Sequence, residues 1–255
     1  MIALATWHQG RCGSSVLGSM LNQHSQIQAQ NEIFSRYMPR RWGDRPVPPM
    51  NEVLAAATRE ASKPVLNIEI KFLSAQNFAL YPQATFQDWF MAVGGNGFER
   101  HLLIHRRNGL RRMVSHLMAQ RTGVYVQQRD AAATTLADRQ ITIEPAAIRE
   151  GVETHSLLGW LERYDHTHQE LRNGLQGWCE AQKHPPPLEL IYEDAIEPSP
   201  QLAYGQVCEA LGLELEPVQE RLKRINPEPL EQLISNWGEI AALLAPTRFA
   251  WMLAA

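Results

Sequence analysis

A chain of 255 residues, 44% of them hydrophobic, can fill the core of one large domain or two small ones. Its formal net charge of -3 argues against a general nucleic-acid binder, so a polyanionic ligand has to meet a local basic cluster. Cys12, Cys179 and Cys208 show neither metal-ligand spacing nor a disulfide framework, no apolar run approaches a membrane span, and a strand follows Met1 almost at once; the expectation is a cytoplasmic protein without a signal peptide.

In chain order, short β-rich apolar runs alternate with helical periodicity. A strand over 2–6 leads through a glycine-punctuated loop into a helix over 15–23. A weaker strand at 27–30 precedes a helix over 51–61, and a strand over 65–70 precedes one over 85–93. A strand over 101–105 is followed by a helix over 110–121. Pro145 opens a long helical pattern, 146–181, with a break near Gly151. A proline-rich connector at 183–187 precedes the last strand, 188–192, and a helix over 201–211. Strands separated by helices predict an α/β fold with a central parallel sheet of four or five strands, covered on both faces, with ligands at the strands' carboxyl ends. Two stretches look irregular: 37–49, with four prolines and several arginines, and the polar 122–142.

The first crossover is the most informative. Gly10-Arg11-Cys12-Gly13-Ser14-Ser15 joins the first strand to an apolar-periodic helix. Such a loop aims unpaired backbone N–H groups and the positive end of a helix dipole at one point, an anion site usually filled by phosphate. A tight turn before an N-capped helix gives the same pattern. The nucleotide-triphosphatase loop Gly-x-x-x-x-Gly-Lys-Ser/Thr is absent, because Ser14 follows Gly13 and the cation, Arg11, precedes it.

Three further pieces surround this loop. Arg100, Arg106, Arg107, Arg111 and Arg112 fall close together beside His101 and His105; a solvated helix face is the ordinary reading of such a cluster. Within it, Arg107 ends a strand and Ser115 lies eight residues on, a pair able to converge on one phosphate. Tyr192-Glu193-Asp194 closes the last strand, and Glu32 follows the first helix.

Together these residues resemble the sulfotransferases that use 3′-phosphoadenosine 5′-phosphosulfate (PAPS). Arg11 to Ser15 is similar to their 5′-phosphosulfate loop, and Arg107-Asn108 through Ser115 to their 3′-phosphate motif. Leu190-Ile191-Tyr192-Glu193-Asp194, with Pro200 and Leu211-Gly212-Leu213, resembles their late strand and helix. Asn22 to Phe34 resembles the bacterial branch that acts on sugar or lipid hydroxyls, including the nodulation-factor type. The chain departs from the family at Cys12, where serine or proline is frequent, and at Thr6-Trp7-His8, which replaces a glycine-proline turn.

The resemblance implies a P-loop-like three-layer fold over a single domain, 1–255, with acceptor-recognition loops at 35–49 and 122–142. It implies an enzyme that moves a sulfuryl group from PAPS to a hydroxyl of a carbohydrate, glycolipid or other small acceptor and releases 3′-phosphoadenosine 5′-phosphate (PAP), with no metal. Cys12, Gly13, Ser14 and Ser15 would hold the 5′-phosphate, and Arg11 would sit near the bridging oxygen and sulfuryl group. Arg107 and Ser115 would hold the 3′-phosphate, and Tyr192 would line the nucleotide pocket. Glu32 would act as general base, its pKa raised by apolar neighbours, with Lys71 neutralising sulfuryl oxygens. His8 and His105 are alternative bases, Arg112 a second 3′-phosphate ligand, Asn236-Trp237 a closing element and Trp42 a sugar-stacking ring. Two other readings stand beside this one: a P-loop-like small-molecule kinase, and a nucleotide-binding protein without catalysis.

Overall fold

The computed structural model describes residues 1–73, 76–128, 140–150 and 153–254. They fall into two compact units, one made of 1–105 and 167–220, the other of 106–166 and 221–255.

The first unit is built on a five-stranded parallel sheet of order β2-β3-β1-β4-β7. Its strands are β1 (Ile2–His8), β2 (Ile27–Glu32), β3 (Val65–Lys71), β4 (Phe98–His105) and β7 (Leu188–Ile191). β1 is apolar from Ile2 to Ala5, as a strand covered on both faces requires, whereas β3 alternates its apolar residues with the buried polar Asn67 and Glu69 and ends at Lys71. Ala3, Ala5 and Trp7 point to a core shared with α3 (Met50–Arg59), α4 (Phe86–Gly95) and the later part of α6 (Leu157–Gln182). Leu4 points to the opposite core, beneath α1 (Ser14–Leu21) and α7 (Pro200–Leu211). The result is the α/β arrangement expected, a central parallel sheet of five strands with helices on both faces.

The second unit packs α5 (Gly109–Thr122), the start of α6, α8 (Leu230–Leu233) and α9 (Trp237–Leu244) around Leu110, Met113, Leu157, Trp160, Leu161, Leu233 and Ile240. Here the expected helix over 146–181 is corrected. The antiparallel pair β5 (Ile148–Glu150) and β6 (Glu153–His155) occupies its first turns, and the helix begins at Leu157. Ser156 sets that start, since its Oγ accepts from the Gly159 N–H at 3.1 Å as an N-cap does. Of the polar stretch 122–142, residues 129–139 lie outside the described residues.

Candidate functional site

The loop after β1 has an unusual backbone. Gly10, Arg11 and Gly13 all have positive φ, of 77°, 58° and 84°. Gly13 is the N-cap of α1 and makes no side-chain cap, and no acidic residue stands in the first turn. The leading amides of α1 therefore have neither a capping oxygen nor a carboxylate to neutralise them, the condition that favours an anion. Glycine is required at 13 twice over. Besides the φ, a β-carbon there would sit 2.6 Å from Ile196 Cγ2 and 3.2 Å from Tyr192 Cδ2. Those two side chains come from the single π-type turn, Tyr192–Ile196, that follows β7, so the Tyr-Glu-Asp segment braces the loop. Cys12 is 1% exposed and packs inward among apolar side chains, whereas Ser15 is exposed.

Sheet register assembles the second part of the site. Thr6 and Glu32 both pair with Glu69, and His8 pairs with Lys71. Partners in register share a face, so two carboxylates, an ammonium and an imidazole gather at the carboxyl ends of β1, β2 and β3. An irregularity in the β2–β3 pairing between Ala29 and Glu32, with Asn31 at φ 53°, re-aims Glu32. Adjacent carboxylates repel unless each has a partner, and here each does. Lys71 Nζ lies 2.6 Å from Glu32 Oε1, and His8 Nε2 lies 3.2 Å from Glu69 Oε2. Ser35 Oγ also donates to Glu32.

The expectation of a raised Glu32 pKa is corrected. Burial pushes that way, but Lys71, His8 and the hydrogen bond from Ser35 outweigh it and hold the carboxyl below its ordinary value. For His8, burial opposes the charged ring, yet polar contacts with Cys12 and Glu69 raise its pKa to about 9. The Gly10 N–H donates to His8 Nδ1 at 3.1 Å and opposes a proton there. That bond places the ring's first proton on Nε2, toward Glu69, and the second proton favoured by the raised pKa would displace the Gly10 N–H from Nδ1.

His8, Glu32 and Glu69 also present ligand atoms within 4.8 Å of one another, a donor set of metal-binding type. The contacts argue against that use. The Gly10 amide occupies Nδ1, so Nε2 carries the proton a metal would have to displace, and Lys71 already holds Glu32.

Sequence reasoning missed Glu69. It is 3% exposed inside a strand and has no motif around it; only its register with Glu32 and Thr6 reveals it. Gly18 is part of the same arrangement, because a β-carbon there would stand 2.7 Å from Glu69 Oε1. Of the alternative bases, His8 is fully buried and His105 stacks on His168 with ring centroids 3.6 Å apart.

Arg107 and Ser115 belong to the second unit. Arg107 is exposed just before α5, and Ser115 is half-buried two turns into that helix. Asn108 caps the helix, accepting from the Arg111 N–H at 2.8 Å and donating to the Met252 carbonyl at 3.1 Å. Arg112 does not lie on a solvated face. It is 1% exposed, 3.7 Å from Glu150 Oε1, with its guanidinium over the Trp160 and Tyr164 rings. The Asn236 amide bonds both backbone groups of Ile143, so it fastens this unit together.

No protein-family profile matches the chain, and no curated protein matches it. Among solved structures it is similar to a sulfotransferase from Alicyclobacillus acidocaldarius, with a TM-score of 0.51 and 16% identity over 99% of this chain and 94% of that one. No described helix is long and apolar enough to cross a membrane. The architecture is therefore a sulfotransferase-type fold.

Proposed function

We propose that this protein transfers the sulfuryl group of PAPS to a hydroxyl of a carbohydrate, glycolipid or other small acceptor, releasing PAP. One observation carries the reading above all: a carboxylate and an ammonium, Glu32 and Lys71, held 2.6 Å apart at the sheet edge that also bears the uncapped glycine loop. Sulfuryl transfer needs a base for the acceptor and fixed positive charge for the transferring group.

The amides and hydroxyls of Gly13, Ser14 and Ser15, with the Cys12 backbone, hold the 5′-phosphate. Arg107 and Ser115 hold the 3′-phosphate, and Tyr192 supports the loop from behind. Lys71 moves its ammonium from Glu32 to the sulfuryl oxygens when the donor arrives, and Glu32 regains basicity as its counter-ion leaves. Glu32 takes the acceptor's hydroxyl proton while the acceptor oxygen bonds to sulfur. The bond from sulfur to the bridging oxygen breaks, and PAP leaves with that electron pair, stabilised by Arg11.

Calorimetric titration with PAP and with ATP tests the donor. A clear preference for the bisphosphate is expected; equal or tighter ATP binding overturns it. Transfer of radiolabelled sulfate from PAPS into a cell extract tests the chemistry. Glu32→Gln is expected to keep PAP affinity and lose on the order of 10²–10⁴ in rate, the usual worth of a general base. Unchanged turnover removes Glu32 from that role.

A further inference from the structure

The segment after Glu32 carries a local excess of positive charge. Residues 33–49 hold Arg36, Arg40, Arg41 and Arg45 against Asp44 alone, in a chain of net charge -3. All four arginines are exposed, and none pairs with a carboxylate of the described residues.

These cations are displayed from a braced strap rather than a slack loop. Phe34 is fully buried and packs edge-on against Tyr81 and Trp89. Tyr37 and Trp42 meet with ring centroids 4.8 Å apart, and Trp42 Nε1 donates to the Pro46 carbonyl at 3.1 Å. The Arg45 guanidinium lies 3.9 Å from the centroid of the Trp42 ring, while its Nε donates to the Trp42 carbonyl. Trp42 thus clips the strap together, with the Arg45 guanidinium against one face of its ring. Tyr81 Oη donates to the Pro48 carbonyl and ties down the far end. Holding like charges together without counter-ions is unfavourable, and their rigid display removes much of the entropy cost of meeting an anion.

The strap starts at the residue following Glu32. Arg36 is four residues on, in a 3₁₀ turn (Ile33–Tyr37) whose rise of roughly 2 Å per residue puts its backbone about 8 Å from that of Glu32. That is about one Debye length at physiological salt, so the strap's field reaches the Glu32–Lys71 pair.

We infer that the strap selects acceptors carrying carboxylate or sulfate groups: an acidic saccharide, rather than a neutral one, is the substrate class. This rests on the sulfotransferase reading for the role of Glu32. Guanidinium forks match carboxylate and sulfate in geometry as well as charge. A membrane surface is disfavoured because no large apolar side chain of 33–49 is exposed to enter it.

The test is binding to the full chain in the presence of saturating PAP, with two probes: a tetrasaccharide alternating glucuronic acid and N-acetylglucosamine, and neutral chitotetraose. The acidic probe is expected to bind at least tenfold more tightly, with the gap narrowing from 0.05 to 0.5 M salt. Arg36→Gln/Arg40→Gln/Arg41→Gln should erase the gap, and the corresponding triple lysine variant, which keeps the charge, should restore most of it. Equal binding of the two probes, binding of neither, or a glutamine variant that keeps the preference overturns the inference. So does tighter arginine-dependent binding of oligothymidylate or of anionic lipid vesicles. PAP titration of the same samples reports separately on the donor reading, so the two can fail independently.

Discussion

Gly13→Ala isolates the claim that the loop's shape depends on a missing side chain. Two costs add. An L-residue at φ 84°, ψ 4° carries left-handed strain of about 1–2 kcal/mol. The new methyl would also meet Ile196 Cγ2 at 2.6 Å, and Ile196 is 3% exposed with little room to yield, an overpacking cost of roughly 1–3 kcal/mol. The sum, about 2–5 kcal/mol, is a large share of the 5–15 kcal/mol that ordinarily separates folded from unfolded chains. Gly123 supplies the control. It has nearly the same backbone, φ 70° and ψ 0°, with nothing within 4 Å of the added carbon. Gly123→Ala should therefore show the backbone cost alone. Urea denaturation of both variants gives the comparison, and Ile196→Ala in the Gly13→Ala background should recover part of the difference as a favourable coupling. PAP affinity should fall for Gly13→Ala and hold for Gly123→Ala. If Gly13→Ala costs no more than Gly123→Ala, the close approach of Ile196 and Tyr192 has no energetic consequence and the bracing argument fails.

Three other outcomes follow from the contacts. The depressed Glu32 carboxyl contributes stability that is present above its ordinary value of 4.5 and lost as pH falls through the lower folded value; the gap in urea midpoint between wild type and Glu32→Gln should be constant near neutrality and shrink in acid, and a gap that grows on acidification would contradict the pairing with Lys71. Glu69→Ala should remove the carboxylate 3.2 Å from the buried His8 Nε2 at a cost of about 1–3 kcal/mol and weaken PAP binding through Gly10, measured by denaturation and calorimetry; unaltered PAP affinity would detach this pair from the loop. Asn108→Ala removes a buried N-cap and should cost about 0.5–2 kcal/mol in thermal unfolding, with a loss under a few tenths denying the cap its weight.

Periodicity and local chemistry determined much of this protein before any fold was known. The alternation of apolar runs and helical stretches pointed to a parallel sheet of four or five strands, and Gly10 to Ser15 to a glycine-punctuated turn before a helix, because strand, turn and helix start are properties of neighbours in the chain. The strand pair at 148–150 and 153–155 stands where periodicity reads as helix, because Ser156, a cap, is indistinguishable from any serine until the helix it starts is seen. Glu32 and Lys71 were legible singly, as polar residues at strand ends. Their 2.6 Å pairing, and the lowered carboxyl that follows from it, came only with the fold. Glu69, the Ile196 contact and the burial of Arg112 were invisible for the same reason. Each depends on which strand lies beside which and which turn folds over a loop, a register between distant segments that tertiary packing decides.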